Sequence, residues 1–143
     1  MLHKQILEFQ NKLLNVETKE HVENVSRLTI YIARFFNFAD NELFNLGEIA
    51  RFHDIGKIKI PMSIIEKPSK LTDEEYKIMK EHPKLGRDIL KEFEYTDQEC
   101  LMVYQHHERC GGTGYPLGLT KDEILLEAKI IGLTDVLDAL LSD

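Results

Sequence analysis

Residues 105–116 read QHHERCGGTGYP, and this stretch decides how the rest of the chain is interpreted. Two of the six histidines in the 143-residue sequence stand side by side at positions 106 and 107. Three glycines, Tyr115 and Pro116 follow within a few positions, which is typical of a constrained loop. The sequence therefore predicts a pair of imidazoles at the junction between a helix and a tight loop.

Helical periodicity extends from this loop in both directions. Apolar residues recur at helical spacing in four segments: Leu2, Ile6, Phe9 and Leu13; Val22, Val25, Leu28 and Ile32; Leu43, Leu46, Ile49 and Ala50; and Ile131, Val136 and Ala139. Val, Ile and Thr nowhere alternate long enough to predict a strand. We therefore predict an all-α domain with loops at 54–63, 66–71 and 108–120.

Helix starts are predicted from capping residues. Thr18 and Asp40 precede two of the periodic segments and are suitable N-caps. Three sequences with capping-box spacing begin at Thr72, Thr96 and Thr120. They predict a helix leading toward His82, a helix running into the histidine pair, and the closing helix.

Composition excludes several classes of protein. The hydrophobic fraction of 43% is that of a globular protein, and no apolar run approaches the length of a transmembrane helix. The formal net charge of −7 argues against a nucleic-acid polymer as partner. Cys100 and Cys110 lack CxxC spacing, and the N-terminus is too polar for a signal peptide. These features predict a cytoplasmic protein of one domain, away from the membrane, with unpaired thiols.

Histidines and acids gather near the predicted helix ends. His53 directly precedes Asp54, and Glu17 lies four residues before His21, so on a helix the two share a face. Asp135 stands among apolar neighbours, where a carboxylate needs a partner. Imidazoles and carboxylates without cysteine suit iron, manganese or zinc. The candidates exceed what one ion can use, which predicts two or three ions: Glu17, His21, His53, Asp54, His82, His106, His107 and Asp135.

Each signal also has an ordinary structural interpretation when it is taken alone. Glu17 and His21 would form a common surface pair on a helix. His106 and His107 would satisfy the free carbonyls at a helix end. The glycine-rich loop would be a simple turn between helices.

The motifs taken together resemble the HD-GYP family of the HD phosphohydrolase superfamily. They are HDIGKIKIP at 53–61, EHPKLGRDIL at 81–90, HHERCGGTGYP at 106–116 and IIGLTDVLDAL at 130–140. The resemblance implies a single all-α helical bundle with a metal cluster in its core. It also implies hydrolysis of cyclic di-GMP to pGpG or GMP in bacterial signalling. The implied cofactors are two or three divalent transition-metal ions, with iron or manganese favoured and zinc or nickel as alternatives.

The resemblance assigns roles to individual residues. All eight candidates listed above match metal-binding positions, with Asp54 bridging two ions and Glu17 linked to a third. Lys57 matches the lysine that points at the substrate phosphate and assists as a proton donor, so Lys57 and Asp54 are the expected catalytic residues. Gly114, Tyr115 and Pro116 form the signature loop and, with Lys57, the expected substrate site.

Two departures from the family leave alternatives open. Gly111 stands where the family usually has Asp, so a hydrogen bond within the loop is expected to be missing. The domain is expected to comprise residues 17–143, after an N-terminal helix or linker at 1–16, and to be truncated at its C-terminal end. The alternatives are therefore a metal-binding signalling module with weak turnover, or another HD-type nucleotide phosphohydrolase. Expected partners are a cyclic dinucleotide, a second copy of the chain, and an upstream sensor or GGDEF-type domain.

Overall fold

The molecule is a bundle of α-helices. The computed structural model describes residues 2–142 and the side chains of residues 6–142. The helices of this region are α1 (Leu2–Leu13), α2 (Lys19–Ala33), α3 (Asp40–Arg51), α4 (Met62–Ile65), α5 (Asp73–Met79), α6 (His82–Glu92), α7 (Asp97–Tyr104) and α8 (Leu126–Leu141). Within residues 2–142 there is no strand, only an isolated bridge between Gly111 and Thr120, so the prediction of an all-α fold is confirmed.

Local capping chemistry starts several helices where it was predicted. The Thr18 side chain accepts a hydrogen bond from the His21 amide at 3.1 Å and begins α2. Thr72 and Thr96 form complete capping boxes at the starts of α5 and α7. In each box the threonine side chain accepts a backbone N–H three residues later, which satisfies one of the free donors of the first turn.

Two predicted starts are wrong. The N-cap of α3 is Ala39, whose amide donates to the Glu42 carboxylate at 2.8 Å, so Asp40 is already helical. The Thr120 box closes only the short 3₁₀ turn Lys121–Glu123, and α8 begins at Leu126. A capping box fixes one turn of backbone and does not decide whether the helix continues.

The predicted loop at 54–63 is in fact partly helical. It contains a 3₁₀ turn, Ile55–Lys59, and the start of α4. Ile55, Ile60 and Ile64 are each at most 6% exposed, so burial of these side chains holds the segment against the core. Residues 66–71 and 108–120 contain no α-helix, as predicted.

The core is formed by apolar side chains from all the longer helices. α2 packs against α3 and α8, while α6 packs against α7 and the 3₁₀ turn Ile55–Lys59. Ile6 of α1 belongs to the buried cluster, whereas the side chain of Leu2 lies outside the described residues. On α8, Ile131 is buried, but Val136 is 41% exposed and Ala139 is exposed too. The buried residues of α8 include Glu127, Thr134 and Asp138, so its inner face is partly polar.

Each helix in the described part of the chain falls short of the length and apolarity that a bilayer-spanning segment needs. Cys100 is buried, Cys110 is exposed, and both are free thiols, as predicted.

Candidate metal centre

Three buried histidines are oriented by the ends of helices. His53 follows α3, His106 follows α7, and His82 opens α6 directly after α5. Their Nδ1 atoms lie 2.7 Å from the Ala50 carbonyl oxygen, 2.6 Å from that of Val103 and 2.7 Å from that of Met79, respectively. A carbonyl can only accept, so each ring donates its Nδ1–H to a free carbonyl of the preceding turn. The same contact turns each Nε2 toward the centre of the bundle.

The first group of candidate ligands surrounds one oxygen of Asp54, which is 3% exposed. Its Oδ1 lies 3.1 Å from His82 Nε2 and 3.4 Å from His106 Nε2. His107 Nε2 lies 3.1 Å from His82 Nε2. One donor atom from each of these four residues lies within 4.8 Å of the others, which is close enough for a single ion.

The second group uses Asp54 again. Asp54 Oδ2 lies 3.1 Å from His53 Nε2. Asp135 Oδ1 lies 3.3 Å from His53 Nε2 and 3.1 Å from His21 Nε2. These four residues also offer donor atoms within 4.8 Å of one another. Asp54 belongs to both groups, which is the position expected of a carboxylate that bridges two ions.

Unpaired buried atoms indicate that the residues present fit a metal cluster. Asp54 Oδ1 and His106 Nε2 are buried and, among the described residues, have no hydrogen-bond partner. A buried polar atom left without a partner costs about 1–3 kcal/mol. The donors are imidazole nitrogens and carboxylate oxygens without sulfur, a set that suits divalent iron, manganese or zinc.

The carboxylates of the centre are held in their charged form. Burial would raise the pKa of Asp54, but the charges of His53 and Lys57 outweigh it, and the pKa lies well below its usual value. Burial would also raise the pKa of Asp135, but hydrogen bonds from His21 and His53 outweigh it and lower this pKa below its usual value. The hydrogen bond to Asp135 is the largest cause that raises the pKa of His21 to about 9.

The imidazoles near the loop are held neutral. Burial lowers the pKa of His106 and is the largest cause there. Burial, together with His106 and His82, lowers the pKa of His107 to about 2. A neutral imidazole is the form that ligates a metal, so these two rings need no deprotonation before an ion binds.

Lys57 and Glu17 form an ion pair at the edge of the second group. Lys57 Nζ lies 2.5 Å from Glu17 Oε1 and 3.2 Å from Asp54 Oδ2. Burial would lower the pKa of Lys57, but Asp54 and Glu17 raise it above its usual value. Glu17 Oε2 lies 3.8 Å from His21 Nε2, so the structure brings Glu17 beside the second group without including it. The role of Glu17 as a ligand stays a prediction.

The signature loop places an aromatic ring over the centre. The Tyr115 ring stacks on His107 with centroids 4.8 Å apart and planes 15° apart. Gly114 lies so close to the backbone of residues 107–109 that a Cβ there would collide with it. The peptide bond between Tyr115 and Pro116 is cis, and Pro116 is exposed.

A cleft of about 350 Å³ opens above the two groups. Its lining combines candidate ligands with the loop: Glu17, His21, Asp54, Lys57, Met79, His82, His107, Tyr115, Asp135 and Ala139. Gly114 and Pro116 do not line it. Of the expected substrate site, Lys57 and Tyr115 are therefore the residues that face the cleft.

Two positions that support the centre were missed from the sequence. Glu108 is 5% exposed, and its carboxylate accepts the amides of Leu117 and Leu119 at 2.8 Å each, which closes the loop. The loop therefore has a carboxylate anchor despite Gly111. Asp138 contacts His21 Nδ1 at 2.6 Å across the bundle. Glu108 follows the histidine pair directly, a position that could have drawn attention, whereas Asp138 gave no local signal.

Comparison with known proteins finds a family and several relatives. The HD domain family model matches residues 2–143. The cyclic di-GMP phosphodiesterase response regulator RpfG of Xanthomonas campestris is 39% identical over 127 residues, which are 87% of this chain and 34% of that protein. A cyclic di-GMP phosphodiesterase of Thermotoga maritima is 36% identical over 140 residues, 96% of this chain and 38% of that protein.

Relatives named for a different substrate also match. The 3'3'-cGAMP-specific phosphodiesterase 2 of Vibrio cholerae is 34% identical over 126 residues, 87% of this chain and 24% of that protein. Among solved structures, the HD-GYP-type protein Bd1817 of Bdellovibrio bacteriovorus aligns with a TM-score of 0.73 at 24% identity, covering 88% of this chain and 42% of that one. This likeness shows a shared fold. The chain spans about a third of the length of the curated relatives it matches.

Proposed function

The chain belongs to the HD domain family, and its resemblance to the HD-GYP members is confirmed; from this premise we propose that it is a metal-dependent phosphodiesterase that hydrolyses cyclic di-GMP. The observation that carries the proposal is the pair of ligand groups joined by Asp54 at the floor of the cleft. Relatives named for cyclic di-GMP and for cGAMP support cyclic dinucleotides as the substrate class.

Two ions would be held by the two groups. His82, His106 and His107 would hold one, His21, His53 and Asp135 the other, and Asp54 would contact both. A divalent ion supplies Lewis-acid chemistry, since it makes water a nucleophile near neutral pH and neutralises charge on the phosphate. Iron or manganese is the proposed metal. A third ion would involve Glu17.

The protein's own groups bind and orient the substrate. Lys57 stays protonated, because the carboxylates of Glu17 and Asp54 hold its pKa above the usual value. Its ammonium faces the cleft, where it attracts a phosphate and carries a proton for the leaving oxygen. Tyr115, held flat on His107, offers an aromatic wall for a substrate base at the cleft mouth.

A second candidate is a metal-binding signalling module with weak turnover. Among the described residues that line the cleft, Lys57 is the only lysine or arginine, and it is already paired with Glu17 and Asp54. A cyclic dinucleotide carries two phosphates. The described part of the cleft thus neutralises the substrate poorly without bound ions.

Chromatographic assay of cyclic di-GMP hydrolysis with Mn²⁺ or Fe²⁺ tests the proposal. We expect pGpG or GMP as product, and no product from Asp54→Asn. Asp88→Asn is the matched control, since the Asp88 side chain on α6 is 46% exposed and its ion-pair partner within the described residues is Arg87. Bound metal without turnover would support the signalling module. Hydrolysis of cGAMP but not of cyclic di-GMP would support cyclic dinucleotides as the substrate class and refute cyclic di-GMP as the substrate. Hydrolysis of phosphate monoesters alone would refute the substrate class as well.

A further inference from the structure

His21 is oriented differently from three of the other candidate histidine ligands. His53, His82 and His106 each direct Nδ1 to a backbone carbonyl of the preceding turn. His21 lies in the first turn of α2, where the free backbone groups are amides and not carbonyls. His21 therefore lacks the kind of local acceptor that His82 has, since His82 opens α6 but uses the Met79 carbonyl left by the preceding α5.

Asp138 supplies that acceptor from the far end of the chain. Its Oδ2 lies 2.6 Å from His21 Nδ1, and the residue is 5% exposed. An ionised carboxylate can only accept a hydrogen bond, so the contact assigns a proton to Nδ1 of His21. Nε2 is then the nitrogen directed into the second group, where it lies 3.1 Å from Asp135 Oδ1.

Asp138 is itself held in place by a chain of polar contacts. Arg27 donates to Asn24 Oδ1 at 2.9 Å, and Asn24 Nδ2 lies 3.1 Å from Asp138 Oδ1. Arginine has donors only, so it fixes the Asn24 amide with its oxygen toward Arg27 and its NH₂ toward Asp138. Both oxygens of Asp138 are thus used as acceptors, one for Asn24 and one for His21.

We propose that Asp138 is a positioning residue that fixes the ring orientation and tautomer of His21 for metal binding, with Asn24 holding Asp138. A carboxylate on the far nitrogen also raises the basicity of a ligating imidazole. The inference rests on the proposed metal centre. According to this inference, the affinity of the second group for its ion depends on Asp138, a side chain outside both groups. The affinity of the first group does not depend on Asp138.

Titration of metal-free protein with Zn²⁺, followed by competition with a chromophoric chelator, tests the inference. Loss of such a carboxylate typically weakens metal binding by about 10–100-fold. We expect Asp138→Ala to weaken one of two ions by this factor and to leave the other at wild-type affinity. Asp138→Asn keeps an oxygen acceptor without the charge and should lie between the two. It also serves as the test should the alanine variant fold poorly. Asp88→Ala is the matched control.

The imidazole nitrogens provide a readout that a merely structural role would not change. In Zn²⁺-loaded protein with ¹⁵N-labelled histidine, His21 should show a strongly downfield Nδ1–H resonance. This resonance should shift in Asp138→Asn and disappear in Asp138→Ala, while those of His53, His82 and His106 remain.

Two outcomes separate the inference from the proposed centre. Fewer than two Zn²⁺ ions bound by the wild type would refute the proposed centre and the inference with it. Two ions bound equally well by wild type and by Asp138→Ala, or weakened equally at both sites, would refute the inference alone.

Discussion

Glu108 offers a direct test of how the loop over the cleft is held. Its buried carboxylate accepts the backbone amides of Leu117 and Leu119 at 2.8 Å each. Replacing Glu108 by alanine removes both bonds and the anchor of residues 109–120. We therefore expect the folded loop to open, although the metal ligands themselves are unchanged.

The magnitude follows from the two contacts. A hydrogen bond to a charged group contributes about 1.5–3 kcal/mol, so two give about 3–6 kcal/mol. Leu117 is 61% exposed, so its freed amide regains water and the lower end applies. We expect Glu108→Ala to lower the free energy of unfolding by about 3 kcal/mol. Glu108→Gln has one acceptor oxygen in place of two and should lose about half of this.

Urea denaturation gives the stability, and amide hydrogen exchange gives the location. The amides of Leu117 and Leu119 should lose protection in Glu108→Ala. Glu92→Ala is the control, because Glu92 is an exposed glutamate near the end of α6. A change within about 0.5 kcal/mol, the range of ordinary surface substitutions, together with unchanged exchange at both leucines, would refute the reasoning.

Three further predictions concern a ligand, two glycines and the pair of Lys67 with Glu75. Asp54→Ala should release metal from both groups, as measured by elemental analysis, and retention of one full equivalent would exclude a bridging role. Gly114→Ala should lower the free energy of unfolding by about 1–3 kcal/mol, because its Cβ meets backbone, whereas Gly111→Ala, with open space around it, should stay within about 0.5 kcal/mol in the same urea assay. The hydrogen bond from Lys67 lowers the pKa of Glu75 to about 2 from 4.5, so its contribution to stability is present above pH 4.5 and is lost as the pH falls toward 2. Glu75→Gln should flatten this acid limb of the melting temperature, and an unchanged limb would contradict the assignment.

The parts of the fold that the sequence predicted are those decided within a few residues. Thr72 and Thr96 start helices because the box that they form is complete within one turn. At Thr120 the hydroxyl donates to the Glu123 carboxylate, the Glu123 amide bonds to the Thr120 carbonyl oxygen, and only a 3₁₀ turn follows. Whether a helix continues past its first turn depends on packing, which the capping residues do not encode.

In the candidate site, too, the features that could be predicted from sequence are those fixed by residues close together in the chain. Three of the histidines could be placed from sequence because each lies just beyond a helix, and the helix end itself orients the ring. His21 could be nominated but not oriented, since its acceptor Asp138 is 117 residues away in sequence. The contact forms because α2 packs against α8, and no residue close to His21 in sequence predicts it.

The glycine of the HDIG sequence explains why Asp54 can serve both groups. A Cβ at Gly56 would collide with the His82 carbonyl and would lie 2.6 Å from the Gly86 nitrogen. The 3₁₀ turn can therefore approach the start of α6 only because residue 56 has no side chain. That approach brings His82 Nε2 to 3.1 Å from Asp54 Oδ1, while Asp54 Oδ2 stays 3.1 Å from His53. With a larger residue at position 56, α6 would move outward and take His82 with it. The first group would then lose its contact with the shared carboxylate, so Gly56 is as necessary to the two-group arrangement as the ligands that it brings together.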